Sequence, residues 1–561
     1  MRLTAARGTR PGSVSEDSAV RARIAALDKH FGSPGDLSNP LGEAALLRAD
    51  EEARVPDALP QLLAGYRFGA EFVPTELGGR FVQIDTLCRV VRTVFRHDGA
   101  LGLATGASTL LAVAPVWAAG RADQQEYVAR LLLGGGCPAA VGVGRDCAVA
   151  DAAPAARRDG ERYVLDGHGE RCLDAYRSDA LLVFARTGAG PAAHSALLLR
   201  AGELPDGELR GGPGPRPSFT AHGVPASALV GAEGEGGELA RRMRELAGCA
   251  VPSMAVGAAD GALRTAVGFA RDQRLLTHSL VDVPFHRALF AGAFLDLLVA
   301  DCLALTATRC LHALPGEAGA VAEAAALVVP HLLGRAVDGV AGVLGLAGCV
   351  RQGPYAMFGK RRRDLQRLPA APVTAPAALR AGWAKTRGRS VPRAVFSPGE
   401  GLPPLDWRGR PEAVSDPLAS SLPAFAADVM GRTDLGPYGR VLGAACAALV
   451  DELRDLTRQC AQLHPEQLGV PHPHARHLAQ RHGLLLAAVA ALGVWREADG
   501  HRPGFLADPA WVTAALHRLV VRLGREIPAP PATTEREVVA ELLARHRSHR
   551  TFDVYDTPLA G

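Results

Sequence analysis

The sequence predicts a mostly α-helical protein with a small central β domain and an additional helical bundle at the C-terminal end. Up to about residue 135, apolar residues recur at three- and four-residue spacing, which is typical of amphipathic helices. From about 138 to 232 the pattern changes to short β-like runs broken by glycine and proline, which indicates strands and turns. Long alanine- and leucine-rich stretches then run from Glu238 to about Arg351 and predict a second helical bundle.

These changes of pattern divide the chain into five predicted regions. Residues 15–135 form an N-terminal helical domain, 136–235 the central β domain and 236–385 the second helical bundle. The stretch 386–435 is rich in proline, glycine and serine and favours a linker. Residues 436–561 again contain runs with helical spacing, and we expect a C-terminal helical domain there.

Composition limits the classes of function. The 561 residues carry a net charge of +4, which gives no reason to expect binding to nucleic acid or to an anionic membrane. The ten cysteines show no CxxC spacing, and the N terminus lacks the apolar core of a secretory signal, so we predict a reduced, cytoplasmic protein. The uncharged run Ala100–Gly120 contains glycines, hydroxyls and Pro115, which favours a buried core helix over a membrane span.

Five short phrases carry more information by their order than each does alone. They are FVPTELGG at 72–79, DGERYVLDG at 159–167, DALLVFART at 179–187, FTAHGVPASALVG at 219–231 and FGKRRRDLQRLP at 358–369. Together they resemble the acyl-CoA dehydrogenase superfamily over roughly residues 15–385. The resemblance implies a helical bundle, a β barrel or sandwich and a four-helix bundle, with the C-terminal helical region added to them.

The resemblance also implies flavin chemistry on an acyl thioester. In that family a glutamate removes the α-proton of the substrate while flavin N5 accepts the β-hydride. This chemistry needs a carboxylate beside the α-carbon, donors to the thioester carbonyl and an isoalloxazine held against the substrate. The implied cofactor is FAD, the implied partner is an acyl-CoA or a carrier-protein-bound acyl group, and the implied assembly is a homodimer or homotetramer, with a heteromer as the alternative.

Charged residues stand where the resemblance implies contact with the flavin. The junction between two predicted strands carries Glu170, Arg171 and Asp174. A gapless alignment from DGERYVLDG places Arg171 and Leu173 at the aromatic and hydroxyl positions of the family. Charged groups in a cleft are candidates for a catalytic site. A salt-bridged surface loop over a vacated pocket is the alternative.

The other family positions also depart from the usual pattern. The base of the common subfamily falls on Pro372, which has no proton to exchange, and the base position on an earlier helix falls on or near Val251. The flavin loop falls on VGVGRDCA at 141–148, which has almost none of the usual residues. Losing a positioned base typically costs about 100- to 10,000-fold in rate.

One cofactor feature is partly retained. The family's arginine that reaches the flavin of a neighbouring subunit resembles Arg274, although Gln273 is the gapless match. The run VLGLAGCVRQ at 343–352 has part of the double-glycine turn that closes the flavin site.

No metal site is expected. The segment HPHARH at 472–477 brings three histidines together, but it lacks interleaved cysteines or carboxylates, so a solvated loop that leads into a helix is favoured. The basic run KRRRD at 360–364 is interpreted either as a site for a phosphate of a coenzyme or carrier arm, or as a solvated helix face.

Three functions follow from these observations. The first is a redox enzyme of the superfamily that acts on an acyl thioester, for example in biosynthesis of secondary metabolites. The second is a non-redox enzyme on the same fold, for proton transfer, cyclisation or isomerisation without flavin. The third is a non-catalytic subunit of a heteromeric dehydrogenase. We expect the superfamily's substrate class, while the residues at the flavin positions argue against its usual dehydrogenation.

Overall fold

The structure is a computed structural model. The part of the chain that it describes comprises residues 11–144, 147–151, 153–170, 178–190, 193–205, 217–369, 391–409, 415–463, 472–499 and 504–560.

The N-terminal region is helical and packs around α4, a helix whose residues are all buried. A π-helical turn at Gly102–Ala107 joins α5 to α6, and the carboxylate of Asp98 caps α5 by accepting from the N–H of Leu101 at 3.0 Å. The helices of this region are α1 Pro11–Phe31, α2 Glu43–Glu51, α3 Leu59–Tyr66, α4 Ile84–His97, α5 Gly99–Leu101, α6 Ser108–Ala119 and α7 Ala122–Leu133.

The central β domain is one sheet in the order β6-β3-β2-β4-β5-β7, with β1 parallel to β4. In β3 the inward side chains Tyr163 and Leu165 are buried and alternate with more exposed residues, as a half-buried strand requires. The strands are β1 Pro138–Val141, β2 Ala155–Asp159, β3 Arg162–His168, β4 Ala180–Arg186, β5 His194–Leu199, β6 Ser218–Pro225 and β7 Leu229–Val230.

The second helical bundle is built around α8, which contacts α4, α9, α10 and α11. A small hairpin of two short strands follows α8. These elements are α8 Gly236–Asp272, β8 Arg274–Leu275, β9 His278–Ser279, α9 Pro284–Ala313, α10 Ala318–Leu344 and α11 Met357–Gln366.

The C-terminal helices cover the second bundle. Helix α14 packs on α9 and α10, and α16 packs on α9. The elements are α12 Pro417–Gly431, α13 Gly439–Ala461, α14 Pro473–Asp499, α15 Pro509–Arg522 and α16 Thr534–Arg547. A mostly helical chain with a small central sheet and C-terminal helices confirms the predicted fold class.

One predicted region differs from the structure. We expected a linker over 386–435, but Pro417–Gly431 forms a helix within it. The carboxylate of Asp416 caps this helix by accepting from the N–H of Ala419 at 2.9 Å, and Pro417 is compatible with the first helical turn. The proline content of the region was therefore a helix-start signal here as well as a sign of irregular chain.

Several described helices are apolar and long enough to cross a membrane by length and composition alone. Between 56% and 94% of their most apolar stretches is buried inside the fold, including 89% for the helix that covers the run Ala100–Gly120 except its last residue. These helices are Gly99–Ala119, Gly236–Asp272, Pro284–Ala313, Ala318–Gly348 and Pro473–Asp499. Most of the apolar surface of four of these helices is therefore buried in the fold, and about half of it in Ala318–Gly348.

Candidate functional site

The junction between β3 and β4 is held at both of its ends beside β1. The backbone N–H of Gly142, directly after β1, donates to the carbonyl oxygen of Glu170 at 2.9 Å. At the other end of β1, the N–H of Asp179 donates to the carbonyl oxygen of Cys137 at 2.7 Å, and the carboxylate of Asp179 accepts from the N–H of Cys137 at 2.9 Å. The segment between Glu170 and Asp179 therefore starts and ends at fixed points of the sheet.

Of the predicted junction residues, the structure describes Glu170. Its side chain is exposed, while its backbone is tied to β1. Arg171 and Asp174 lie outside the described residues, and so does Pro372. The placement of these three residues stays a prediction.

Gly142 is required by the geometry at the start of this junction. Its φ is +82°, in the left-handed region that glycine tolerates best. A Cβ at this position would lie 2.1 Å from the carbonyl oxygen of Phe184 on β4. The close approach of β1 to β4 at this point therefore depends on the absence of a side chain.

The loop after β1, which aligns with the family's flavin loop, folds back on itself. The N–H of Gly144 donates to the carbonyl oxygen of Ala148 at 2.8 Å, and the N–H of Cys147 donates back to that of Gly144 at 2.9 Å. The N–H of Ala150 donates to the carbonyl oxygen of Gly142 at 3.0 Å. These amides are used within the protein, so the loop does not offer them to a bound cofactor.

Gln273 and Arg274 lie on the exposed hairpin of β8 and β9. Both side chains are exposed, and the guanidinium of Arg274 donates to the carbonyl oxygen of Thr277 at 3.4 Å. At the turn, Leu276 is 92% exposed and has a φ of +55°. The hairpin therefore presents an arginine and a large apolar side chain to its surroundings.

Helix α8 separates this hairpin from the β domain. A Cβ on Gly236, the first residue of α8, would lie 2.8 Å from backbone atoms of both His194 and Ser195 on β5. The hairpin follows the other end of this helix of 37 residues, which is about 55 Å long at 1.5 Å per residue. Arg274 therefore lies at the opposite end of α8 from the contact of this helix with β5.

The basic run on α11 is turned partly into the core. The ammonium of Lys360 lies between the carboxylates of Asp98 at 2.8 Å and Asp364 at 2.7 Å. Arg361 pairs with Glu43 at 3.0 Å. Burial, together with the neighbouring Asp98 carboxylate, raises the pKa of Asp364 to about 6. Lys360 and Arg361 therefore have a structural role in the core, which neither the phosphate-site nor the solvated-face interpretation of the run included.

The outer half of the basic run lines a pocket of about 360 Å³ between α2, α11 and the turn after α10. Arg351, Arg362, Arg363 and the exposed thiol of Cys349 are among its lining residues. Arg363 pairs with Asp50 at 2.7 Å. The glycine turn and the basic run, which are separate in the sequence, thus meet in one pocket.

Among the described residues, no group of three or more histidine, cysteine, aspartate or glutamate side chains could hold a metal ion. In the histidine-rich segment, the ring Nδ1 of His472 accepts from the N–H of His474 at 3.2 Å at the start of α14. Further along this helix, His482 is buried and its Nε2 lies 2.6 Å from the carboxylate of Asp416. His472 therefore bonds to the start of α14, and His482 packs inside the fold.

The sequence analysis missed a set of buried cations on α4. Arg89, Arg92 and Arg96 are each at most 7% exposed. Their three- and four-residue spacing places them on one face of the helix, together with apolar neighbours. This spacing was a readable signal, since arginines that share a face with core residues must find buried partners.

Comparisons with known proteins agree with this architecture. No family model matches the sequence. The chain is 27% identical over 240 residues to a mitochondrial short-chain specific acyl-CoA dehydrogenase of Bos taurus, covering 40% of this chain and 58% of that protein. It thus spans less than two thirds of the length of this curated relative.

Solved structures resemble the fold over more of the chain. An acyl-CoA dehydrogenase of Bacillus anthracis complexed with FAD has a TM-score of 0.66, is 15% identical and covers 95% of both chains. A prolyl acyl carrier protein oxidase has a TM-score of 0.51, is 15% identical and covers 64% of this chain and 94% of the other. The chain therefore has the acyl-CoA dehydrogenase fold and is similar in sequence to a member of that superfamily. The first of these structures also extends the likeness in fold to the C-terminal helices, which the sequence resemblance at 15–385 did not include.

Proposed function

We propose that this chain binds an acyl thioester, presented by coenzyme A or by a carrier protein, and does not perform the flavin-dependent dehydrogenation that is usual in its superfamily. Similarity to a short-chain specific acyl-CoA dehydrogenase and likeness in fold to a prolyl acyl carrier protein oxidase support the substrate class. The observation that carries the second part is the loop after β1, because its amides at Gly142, Gly144 and Cys147 donate within the protein.

Two features argue against FAD held in the way that the resemblance implies. A bound isoalloxazine needs donors aimed at its ring atoms, and the amides of Gly142, Gly144 and Cys147 in the loop after β1 already donate within the protein. The arginine that resembles the family's pyrophosphate ligand is at the far end of α8. The described residues therefore do not fit the cofactor in this chain alone, and we derive no step through it.

The chemistry that we propose for the junction is proton transfer. The carboxylate of Glu170 or Asp174 removes the α-proton of the thioester, the electron pair of the C–H bond moves to the carbonyl oxygen, and the guanidinium of Arg171 stabilises the resulting enolate. The fixed backbone of Glu170 supports this assignment, because a base must be held within hydrogen-bond reach of the proton that it removes. Return of the proton to the other face of a substituted α-carbon completes an epimerisation, and in a β,γ-unsaturated thioester its return to the γ-carbon, with the double bond moved to the α,β position, completes an isomerisation.

The visible absorption spectrum of the purified full chain tests the cofactor part. We expect no flavin bands before or after incubation with FAD and desalting, together with measurable binding of a short acyl-CoA by calorimetry. Retained flavin bands would overturn this part and make the redox function the leading one. Absence of acyl-CoA binding, with acyl carrier protein thioesters also tested, would overturn the substrate class.

Deuterium uptake at the α-carbon of a bound acyl thioester tests the proposed base. Glu170→Gln should lower the rate of uptake by about 100-fold or more, because it removes a proton acceptor without changing the size of the side chain. Glu161→Gln, an exposed glutamate on the β2–β3 turn, is the matched control and should leave the rate unchanged. Equal rates in both variants would contradict the role of Glu170.

A second candidate function is that of a subunit which completes the flavin site of a homologous partner. The exposed hairpin favours it, since Arg274 and Gln273 are exposed at the end of α8 that is remote from the β domain of their own chain. On this proposal the chain supplies the arginine and the partner supplies the flavin loop. The homodimer or homotetramer expected from the resemblance would then be replaced by a heteromer.

Co-expression with a homologue that has complete flavin motifs tests this candidate. We expect a stable complex in which Arg274→Ala lowers the FAD retained after desalting. Arg271→Ala is the control, because this neighbouring arginine already contacts the ring of His546 at 2.9 Å. A chain that stays separate from such homologues, and runs as a homo-oligomer in light scattering, would exclude the heteromer.

A further inference from the structure

The segment His549–Ala560, which we call the C-terminal clasp, lies against α1, α4, α8, α9 and α16. It folds as a hairpin, in which the N–H of Thr551 donates to the carbonyl oxygen of Thr557 at 2.9 Å and the N–H of Leu559 donates to that of His549 at 2.8 Å. Its buried apolar side chains are Phe552, Val554 and Tyr555. A terminal segment with this much buried surface and internal bonding is an ordered element.

Arg92 of α4 joins the clasp to the two helical bundles. Its guanidinium lies 3.1 Å from the carboxylate of Asp553 in the clasp and 2.5 Å from that of Asp301 on α9. It also donates to the carbonyl oxygen of Ser253 on α8 at 2.8 Å and to its hydroxyl at 2.9 Å. The second oxygen of Asp301 accepts from the backbone N–H of Val554 at 2.8 Å. The same buried arginine therefore contacts α8, α9 and the clasp.

Four further hydrogen bonds connect the clasp to three helices, α1, α8 and α16. The guanidinium of Arg545 on α16 donates to the carbonyl oxygen of Asp553 at 2.7 Å, and that of Arg264 on α8 donates to the carbonyl oxygen of Arg550 at 2.6 Å. On α1, the guanidinium of Arg21 donates to the carbonyl oxygen of Tyr555 at 3.1 Å, and the carboxylate of Asp28 accepts from the N–H of Ala560 at 2.9 Å. In addition, the guanidinium of Arg89 stacks over the ring of Tyr555 at 4.0 Å. The clasp thus contacts α1, α4, α8 and α16.

Loss of the clasp would remove partners of the buried arginines on α4. Arg92 would keep one carboxylate instead of two, and Arg89 would lose the aromatic face that covers it. A buried charge without its partner is costly, so this face of α4 would open towards water. The packing of α4 is therefore coupled to the presence of the clasp.

A movement of α4 would also displace α8, because the two helices are in close contact. A Cβ on Gly257 of α8 would lie 2.2 Å from the carbonyl oxygen of Arg92, and one on Gly261 would lie 2.5 Å from that of Arg96. The backbones of α4 and α8 are therefore in direct contact, with no room for a side chain between them at these two positions. Since Ser253, which Arg92 binds, also lies on α8, a shift of α4 must change the position of α8.

We propose that the C-terminal clasp is a conformational lock through which the end of the chain holds α4 against α8. The lock acts through the charge on Asp553 and the fork of Arg92, and its opening releases both the clasp and α4. This inference does not depend on the proposed substrate or on the presence of a flavin, because it concerns the packing of helices that all functions of the fold share.

Hydrogen exchange of the full chain with Asp553→Asn tests the lock. The substitution keeps the shape of the side chain and removes the charge that faces Arg92, so we expect exchange in the clasp and in α4 to rise by about 100-fold or more. Trypsin should also cleave after Arg550 and release residues 551–561. Asp451→Asn on α13 is the control, since Asp451 lies outside the clasp, is 57% exposed and pairs with an exposed arginine, so its effect on exchange should be small.

The wild-type chain tests the same inference without any substitution. As urea is raised below the unfolding transition, the amides of α4 and of the clasp should become exchangeable together, as one unit that opens before the rest of the bundle. Exchange of the clasp alone, with α4 protected until global unfolding, would overturn the lock and leave an anchored tail. Unchanged clasp exchange in Asp553→Asn would overturn it as well.

Discussion

Helices α4 and α11 both carry runs of basic residues, and the two helices use them differently. All three arginines of α4 are buried among α8, α9 and the clasp. On α11, Lys360 and Arg361 are buried, whereas the side chains of Arg362 and Arg363 are each 43% exposed. A basic run therefore says little about function until the partners on each side of the helix are known.

The central cations of the two helices show what the type of cation changes. Arg92 and Lys360 each lie between two aspartates, but the guanidinium also donates to the hydroxyl and carbonyl of Ser253. Around Lys360, one carboxylate oxygen of Asp364 has no hydrogen-bond partner among the described residues. Burial raises the pKa of Asp364 beside the ammonium and that of Asp301 beside the guanidinium alike, so the two cations differ in the number and direction of the hydrogen bonds that they donate.

The largest effect is expected for Lys360→Met. Removal of the ammonium leaves Asp98 and Asp364 facing each other in the core, and we expect the free energy of unfolding at pH 7 to fall by about 3–5 kcal/mol. Urea denaturation measures it. Arg362→Met on the same helix is the control, because its pair with Asp338 is about half exposed, and it should cost less than about 1 kcal/mol. An equal loss of unfolding free energy in both variants would mean that Lys360 is more exposed to water than the structure shows.

An intermediate effect is expected for Gly257→Ala, which probes the contact of α4 with α8. The added methyl group would lie 2.2 Å from the carbonyl oxygen of Arg92, so we expect a loss of about 1–3 kcal/mol in thermal or urea denaturation. Gly334→Ala on α10 is the matched control, since nothing lies within 4 Å of its Cβ position. There the same substitution should stabilise the protein by up to about 1 kcal/mol. The comparison fails if both variants change in the same direction.

The smallest effect is the pH dependence that Asp364 contributes. Its pKa is raised from 3.8 to about 6, so the native state binds this proton more tightly than the unfolded state. The resulting stability is complete below about pH 4 and is lost as the pH rises through 6. In Asp364→Asn we expect this part of the pH dependence, on the order of 1 kcal/mol, to disappear from the unfolding free energy measured between pH 5 and 7. An unchanged pH profile would show that another group is responsible.

The fold was more accessible from the sequence than the site. Spacing of apolar residues is a local signal, and it predicted the helices, the central strands and the C-terminal helices. The helix Pro417–Gly431 was missed because proline disfavours helix interiors but suits a first turn. For the site, the sequence made Glu170 a candidate because of its charge beside two predicted strands, and its role stays a prediction. Its position next to β1 follows from a hydrogen bond to Gly142, which is distant in the chain.

The sequence by itself determined the class of fold, the order of its regions and the likeness to a superfamily, because these depend on periodicity and on the order of short phrases. The tertiary structure decided which charges are buried. Whether a cation faces water or an aspartate far along the chain depends on packing between distant elements, as for Arg92 with Asp553 and Lys360 with Asp98. Local spacing places a residue on a face of a helix, and only the assembled fold supplies what that face contacts.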